Sequence, residues 1–283
     1  MVKRRRKQNS TTIMWASIGG VVVVVAAIVL ATTLTASGPD KAFFGAASPA
    51  LLSEVENVPA SVFNAVGITS PAITVTPLSF SKSQPPLTFT VGKAKLPGFL
   101  YVGAEYCPYC AATRWGMIIA LARFGHFNRL YDMLSSSTDY APSTPTFSFV
   151  GKLPSSVVTY TSRYLAFVPF EQLNRNKQAL MTPSAQADRL VSLYDQGTGI
   201  PFVDMNNHWF LTGSAYDPAD LANLSRDSIA AGLTDPTIPV TQAIITTANY
   251  ISSGICAMTH SQPAAVCHSS GVEAAAKALK IKL

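Results

Sequence analysis

The run from Gly98 to Cys110, reading Gly-Phe-Leu-Tyr-Val-Gly-Ala-Glu-Tyr-Cys-Pro-Tyr-Cys, constrains this chain more than any other stretch. It predicts a buried apolar strand, a sharp turn, and a Cys-x-x-Cys opening a helix whose apolar face includes Trp115, Ile118, Ile119 and Leu121. Pro108 suits the first turn of such a helix, because its missing N–H would have had no partner there. Cys107 then falls at or just before the first helical residue, where free N–H groups and the positive end of the dipole favour a thiolate. Cys110 is three residues on, within reach of the Cys107 sulfur. The arrangement supports attack by Cys107 on a disulfide, followed by attack of Cys110 on the mixed disulfide. Two blander readings stay open: half of a zinc site, completed by Cys256 with Cys267 or His268, or an inert bridge.

Charge argues against a nucleic-acid partner. The formal net charge is +6, but Lys3, Arg4, Arg5, Arg6 and Lys7 supply five of the 21 basic residues, leaving 16 against 15 acidic ones. The body is close to neutral, and with 48% hydrophobic residues it can bury a good-sized core.

From Gln8 to Pro39 there is no ionisable side chain, and Ile13 to Leu34 supplies the roughly 20 apolar residues that cross a bilayer. A basic cluster just before such a segment stays cytoplasmic, which predicts a single-pass anchor with the remainder extracytoplasmic. The competing reading is a cleaved signal peptide with its cleavage region near Ala36 and Ser37. Both place the body where disulfides persist.

The expected organisation is a basic tail over 1–12, the anchor over 13–34, a linker and N-terminal extension over 35–95, a core domain over 96–235 and a C-terminal helical extension over 236–283. Within the linker, residues 49–55 and 59–65 read as short helices. Pro71, Pro77, Pro85 and Pro86 then punctuate extended chain with an edge strand. The helix after Cys107 is expected to run to Leu134 with a break at Gly125. A Ser/Thr/Pro loop to Pro145, a strand at Thr146–Val150 and a helix at Ser184–Tyr194 follow. Asn206-Asn207 joins two short strands in a hairpin.

Ala104-Glu105-Tyr106-Cys107-x-x-Cys110 resembles the thioredoxin active-site segment, with Tyr106 in place of its tryptophan, and Cys-Pro-Tyr-Cys has the central residues typical of glutaredoxins. Gly199-Ile200-Pro201 resembles the thioredoxin cis-proline segment that begins the hairpin. More narrowly, Gly103 to Trp115 and the chain's layout look like a prokaryotic group of membrane-anchored thioredoxin-like proteins known as domain of unknown function 929.

The resemblance implies an α/β, thioredoxin-like fold with a helical insertion and a C-terminal helical extension, preceded by one transmembrane helix. It further implies a thiol–disulfide oxidoreductase with Cys107 as nucleophile and Cys110 as resolving thiol. A cis Pro201 would lie beside the Cys107 sulfur, and the Ile200 backbone would pair with an extended substrate strand. Glu105, Pro108 and Tyr109 are candidates for tuning. No cofactor is required, since the electrons reside in the sulfur pair. Exported proteins with thiols or disulfides are the expected substrates, with a membrane redox partner to recharge the pair. Whether the protein oxidises, reduces or isomerises depends on the potential of that pair.

The sequence departs from the thioredoxin pattern twice. Tyr101 stands six residues before Cys107, where thioredoxins carry a buried acid, and the interval from Cys110 to Pro201 is much longer than in a minimal thioredoxin.

Cys256 and Cys267 are expected to pair as a structural disulfide, with an electron relay for Cys107 and Cys110 as the sharper alternative. The rival reading of the whole chain is a non-catalytic thioredoxin-like adaptor or metallochaperone holding zinc or copper through its cysteines.

Overall fold

The computed structural model describes residues 43–73, 76–195 and 199–283. The expected basic tail and the anchor over 13–34 lie outside the described residues. Among the described residues, no helix is long and apolar enough to cross a membrane.

Strand β1 (Phe43–Ala46) leads to α1 (Pro49–Glu56), whose start is set by Ser48 accepting from the Leu51 N–H at 3.1 Å and by Pro49 in the first turn. Helix α2 (Ala60–Val66) follows, then β2 (Ser79–Phe80), β3 (Thr88–Val91) and β4 (Ala94–Gly103). Next come α3 (Pro108–Ala122), β5 (His126–Phe127), β6 (Tyr131–Leu134), β7 (Pro145–Ser148), β8 (Tyr160–Thr161) and β9 (Ala166–Glu171). Helix α4 (Ala185–Tyr194) precedes the β10 (Phe202–Met205) and β11 (Trp209–Thr212) hairpin. A 3-10 turn at Pro218–Leu221, α5 (Arg226–Gly232), α6 (Pro239–Met258), α7 (Ala264–Cys267) and α8 (Ser270–Leu279) complete this mixed α/β chain.

The main sheet runs β2-β11-β10-β4-β3, and β9 pairs in parallel with β4. Strand β4 is the axis of this sheet: β10 lies antiparallel on it, with Phe202 opposite Val102, while β9 sets Glu171 opposite Gly103. Its second half is buried without alternation, as a strand covered on both faces must be. Phe99 and Tyr101 join the large core with Trp115, Ile118 and the apolar side of α6. Leu100 and Val102 instead meet Phe202, Phe210, Ala187 and Leu190, so α4 closes the other face.

Helix α6 packs along α3 at Gly116, where a Cβ would meet Thr247 Cγ2 at 2.7 Å. This close approach requires glycine. Trp115 is locked alongside: its indole N–H donates to the Pro145 carbonyl at 3.0 Å and its ring meets Phe147 edge-on.

Several expectations are corrected. The helix expected to reach Leu134 ends at Ala122, and the chain turns into β5 and β6; Phe124, Phe127, Leu130 and Met133 are buried by this folded-back segment. The described residues from 43 onward cluster as one compact unit. The expected linker is woven into that unit, because β1 pairs with β6, β3 pairs with β4, and Val62, Phe63 and Val66 of α2 belong to the large core. Strand β2 does occupy a sheet edge. The long helix α6 begins at Pro239 and reaches Met258.

A candidate thiol–disulfide site

The turn from β4 into α3 is built around the sulfur of Cys107. Cys107 is the N-cap, with φ −75° and ψ 121°, and its Sγ accepts from the Cys110 N–H at 3.3 Å. A sulfur in this role neutralises one of the N–H groups that a helix start leaves unpaired. Pro108 occupies the first turn behind it. Gly103 is demanded by close approach: a Cβ there would run into the Tyr101 hydroxyl.

Both cysteines are free thiols. Cys107 keeps 5% of its surface exposed and Cys110 none. The Ile200–Pro201 peptide bond is cis, and Cys107 Sγ donates to the Ile200 carbonyl at 3.8 Å. The structure thus brings Cys107, Cys110, Ile200 and Pro201 together, although about ninety residues separate the two segments.

The two thiols are pushed in opposite directions. Cys107 is held below its ordinary value of 9.0 by hydrogen bonding from the Cys110 side chain, helped by the Cys110 N–H and the Arg114 charge, against the effect of burial. Cys110 is driven well above 9.0, first by burial and then by its neighbour Cys107.

The tuning candidates divide. Glu105 is buried in the turn and accepts from Ser148 Oγ at 2.7 Å; burial above all, and then the Glu171 charge, pushes its carboxyl up to about 7. Tyr109 is 41% exposed and stacks on Tyr140, with ring centroids 5.9 Å apart and planes 8° from parallel. Tyr140 in turn donates to Asp217 at 3.0 Å. Tyr101 is fully buried, and among the described residues its hydroxyl has no hydrogen-bond partner.

Beneath the pair lies a feature that sequence reasoning missed. Arg114 and Glu171 form an ion pair with no exposure on either side chain: Nε donates to Oε1 at 2.9 Å and Nη2 to Oε2 at 2.7 Å. Nη2 also donates to the Ala104 carbonyl at 2.8 Å. The signal was present as one cation on an otherwise apolar helix, four residues after Cys110. Nothing in sequence reading, however, names a partner 57 residues away.

Cys256 and Cys267 are joined in a disulfide that ties the last turn of α6 to α7. They are therefore not available to complete a metal site with Cys107 and Cys110. His268 faces Glu273 at 3.6 Å. Among the described residues, no three His, Cys, Asp or Glu side chains group as metal ligands would.

Fold and site together define a mixed α/β protein that carries a reduced Cys-x-x-Cys pair at a helix start, set against an Ile–cis-Pro segment. The chain belongs to the family described as domain of unknown function 929 (DUF929), whose sequence model matches residues 92–257. That match takes in both free cysteines, Pro201 and the Arg114–Glu171 pair. No curated protein and no solved structure matches the chain.

Proposed function

We propose that this protein is a membrane-anchored, extracytoplasmic thiol–disulfide oxidoreductase of thioredoxin-like build, with an inserted segment after α3 and a helical extension from α6 onward. One observation carries the reading: the Cys107 sulfur is bound by the N–H groups of a helix start, with a lowered pKa, while Cys110 behind it is buried and shifted the other way. Such a split separates an attacking thiolate from a thiol that stays protonated until it is needed.

The Cys107 thiolate attacks one sulfur of a client disulfide, forming a Cys107–client bond and releasing the other client sulfur as a thiolate. Cys110 then gives up its proton and attacks the Cys107 sulfur, forming the Cys107–Cys110 disulfide and releasing the second client thiolate. Two electrons pass from the pair to the client. Run backwards, the same steps oxidise a client dithiol, and a second thiol–disulfide partner restores the pair. The Ile200 backbone beside Cys107 is suited to hold an extended client chain, since main-chain pairing accepts many sequences. Residues 13–34 serve as the anchor, with the basic tail on the cytoplasmic side.

The test is trapping. A Cys110→Ala variant of the full chain is expected to accumulate client proteins on Cys107 as mixed disulfides that reductant releases. Cys107→Ser is expected to fold normally and to lose insulin-disulfide exchange. A Cys107→Ser variant that still turns over insulin disulfides would overturn the assignment.

A further inference from the structure

We propose that Arg114 is a positioning charge for the cysteine pair: a buried cation that stabilises the reduced sulfurs from inside the fold and sets the potential of the couple, with Glu171 as its restraint. The inference rests on the exchange reading and names what tunes that same site.

The geometry carries it. Arg114 lies one helical turn beyond Cys110 on α3, so both side chains leave the helix on the same side. The guanidinium is wholly enclosed, held at Nε and Nη2 by Glu171 of β9 and at Nη2 by the Ala104 carbonyl of the turn that precedes Cys107. Among the described residues its Nη1 has no acceptor. The fork is thereby fixed in place with one edge uncommitted, where its charge acts through protein rather than water. A planar guanidinium that cannot be deprotonated is well suited to that task.

The charged and titratable groups facing this site come from each element around it. Tyr101 of β4 lies with its ring 5.8 Å from the guanidinium carbon. Glu171 comes from β9, Glu105 from the turn, and Cys107 and Cys110 from the helix itself. Arg114 favours the thiolate at both cysteines, and at Cys110 its effect outweighs the opposing effect of Glu171. Tyr101, at the position six residues before Cys107, supplies no carboxylate, so among these groups the cation is what counters the negative charge of a thiolate.

The reaction that reads this is protein disulfide plus two glutathione thiols giving protein dithiol plus glutathione disulfide. A cation that stabilises thiolate shifts it toward the dithiol. The experiment uses the full chain in detergent, equilibrated in glutathione buffers, with the iodoacetamide rate of Cys107 at pH 6 as a second readout. Glu171→Gln leaves the cation without its carboxylate. It is expected to raise the equilibrium constant toward dithiol about tenfold, about 30 mV more positive, and to speed alkylation. Arg114→Met with Glu171→Gln removes both charges and is expected to move both readouts the other way, by about threefold. Arg114→Lys, which keeps the charge, should stay within about twofold of wild type.

Loosened packing would move the first two variants in the same direction; that result, or no movement in either, overturns the inference. Should the double variant not fold, Glu171→Gln decides alone, and an unchanged or lowered constant overturns it. Opposite shifts in a protein that exchanges no insulin disulfides would instead leave the Arg114 inference standing and remove the reading it was built on.

Discussion

Replacing both Cys256 and Cys267 by alanine separates a structural bridge from an electron relay. The bridge closes a loop with a sequence separation of 11, and both residues are fully buried. In the chain-entropy model, closing such a loop is worth about 2.8 kcal/mol at 25 °C. Losing two buried sulfur atoms, taken as methylene equivalents, adds about 0.8 kcal/mol each. The expected cost is therefore about 4 kcal/mol. With a urea slope of about 3 kcal/mol/M, this lowers the unfolding midpoint by about 1.4 M. Trp115 and Trp209 sit in the core and report unfolding by fluorescence. Insulin-disulfide exchange, measured where the variant is fully folded, should remain at the wild-type rate. The bridge lies beyond Thr247 on α6, roughly 13 Å along the helix from the Gly116–Thr247 approach. A midpoint shift below about 0.5 M would refute the loop-entropy argument, and loss of exchange in folded protein would restore the relay.

Three further outcomes follow from the site and its supports. Folded Glu105 titrates at about 7 instead of 4.5, so between those values the folded state holds a proton that the unfolded chain has released, and stability falls as pH rises through that window. Glu105→Gln should flatten this slope and stabilise the protein at pH 8 by about 2–3 kcal/mol; equal slopes in urea melts at pH 5 and pH 8 for both proteins would count against it. Gly116→Ala places a Cβ 2.7 Å from Thr247 Cγ2 and 3.2 Å from the Ile244 carbonyl, and is expected to cost about 1–3 kcal/mol in thermal or urea unfolding. Iodoacetamide should label Cys107 with a midpoint below pH 9 and leave Cys110 unmodified in folded protein, as read by peptide mass; equal labelling of the two would contradict the opposed shifts.

What the sequence determined by itself is local. An unbroken apolar strand, a glycine before the turn, a cysteine and a proline at a helix start, and Asn206-Asn207 between two short strands each carry their own conformational reason within a few residues. These features therefore led to β4, α3 and the β10–β11 hairpin. The paired Cys256 and Cys267 needed only arithmetic. Elements whose stability comes from distant partners were not legible in this way. Phe124, Phe127, Leu130 and Met133 extend a plausible helical pattern past Gly125, and only the aromatic core formed with Phe149, Tyr160 and Phe167 draws that segment into strands. Residues 35–95 read as a linker, because β1 and β2 take their hydrogen bonds from β6 and β11, neither of which is near in sequence; only β3 pairs with its neighbour β4. The Arg114–Glu171 pair belongs to the same category. A fully buried charge is tolerable only with a partner at hydrogen-bond distance, and the parallel register of β9 on β4 is what supplies it.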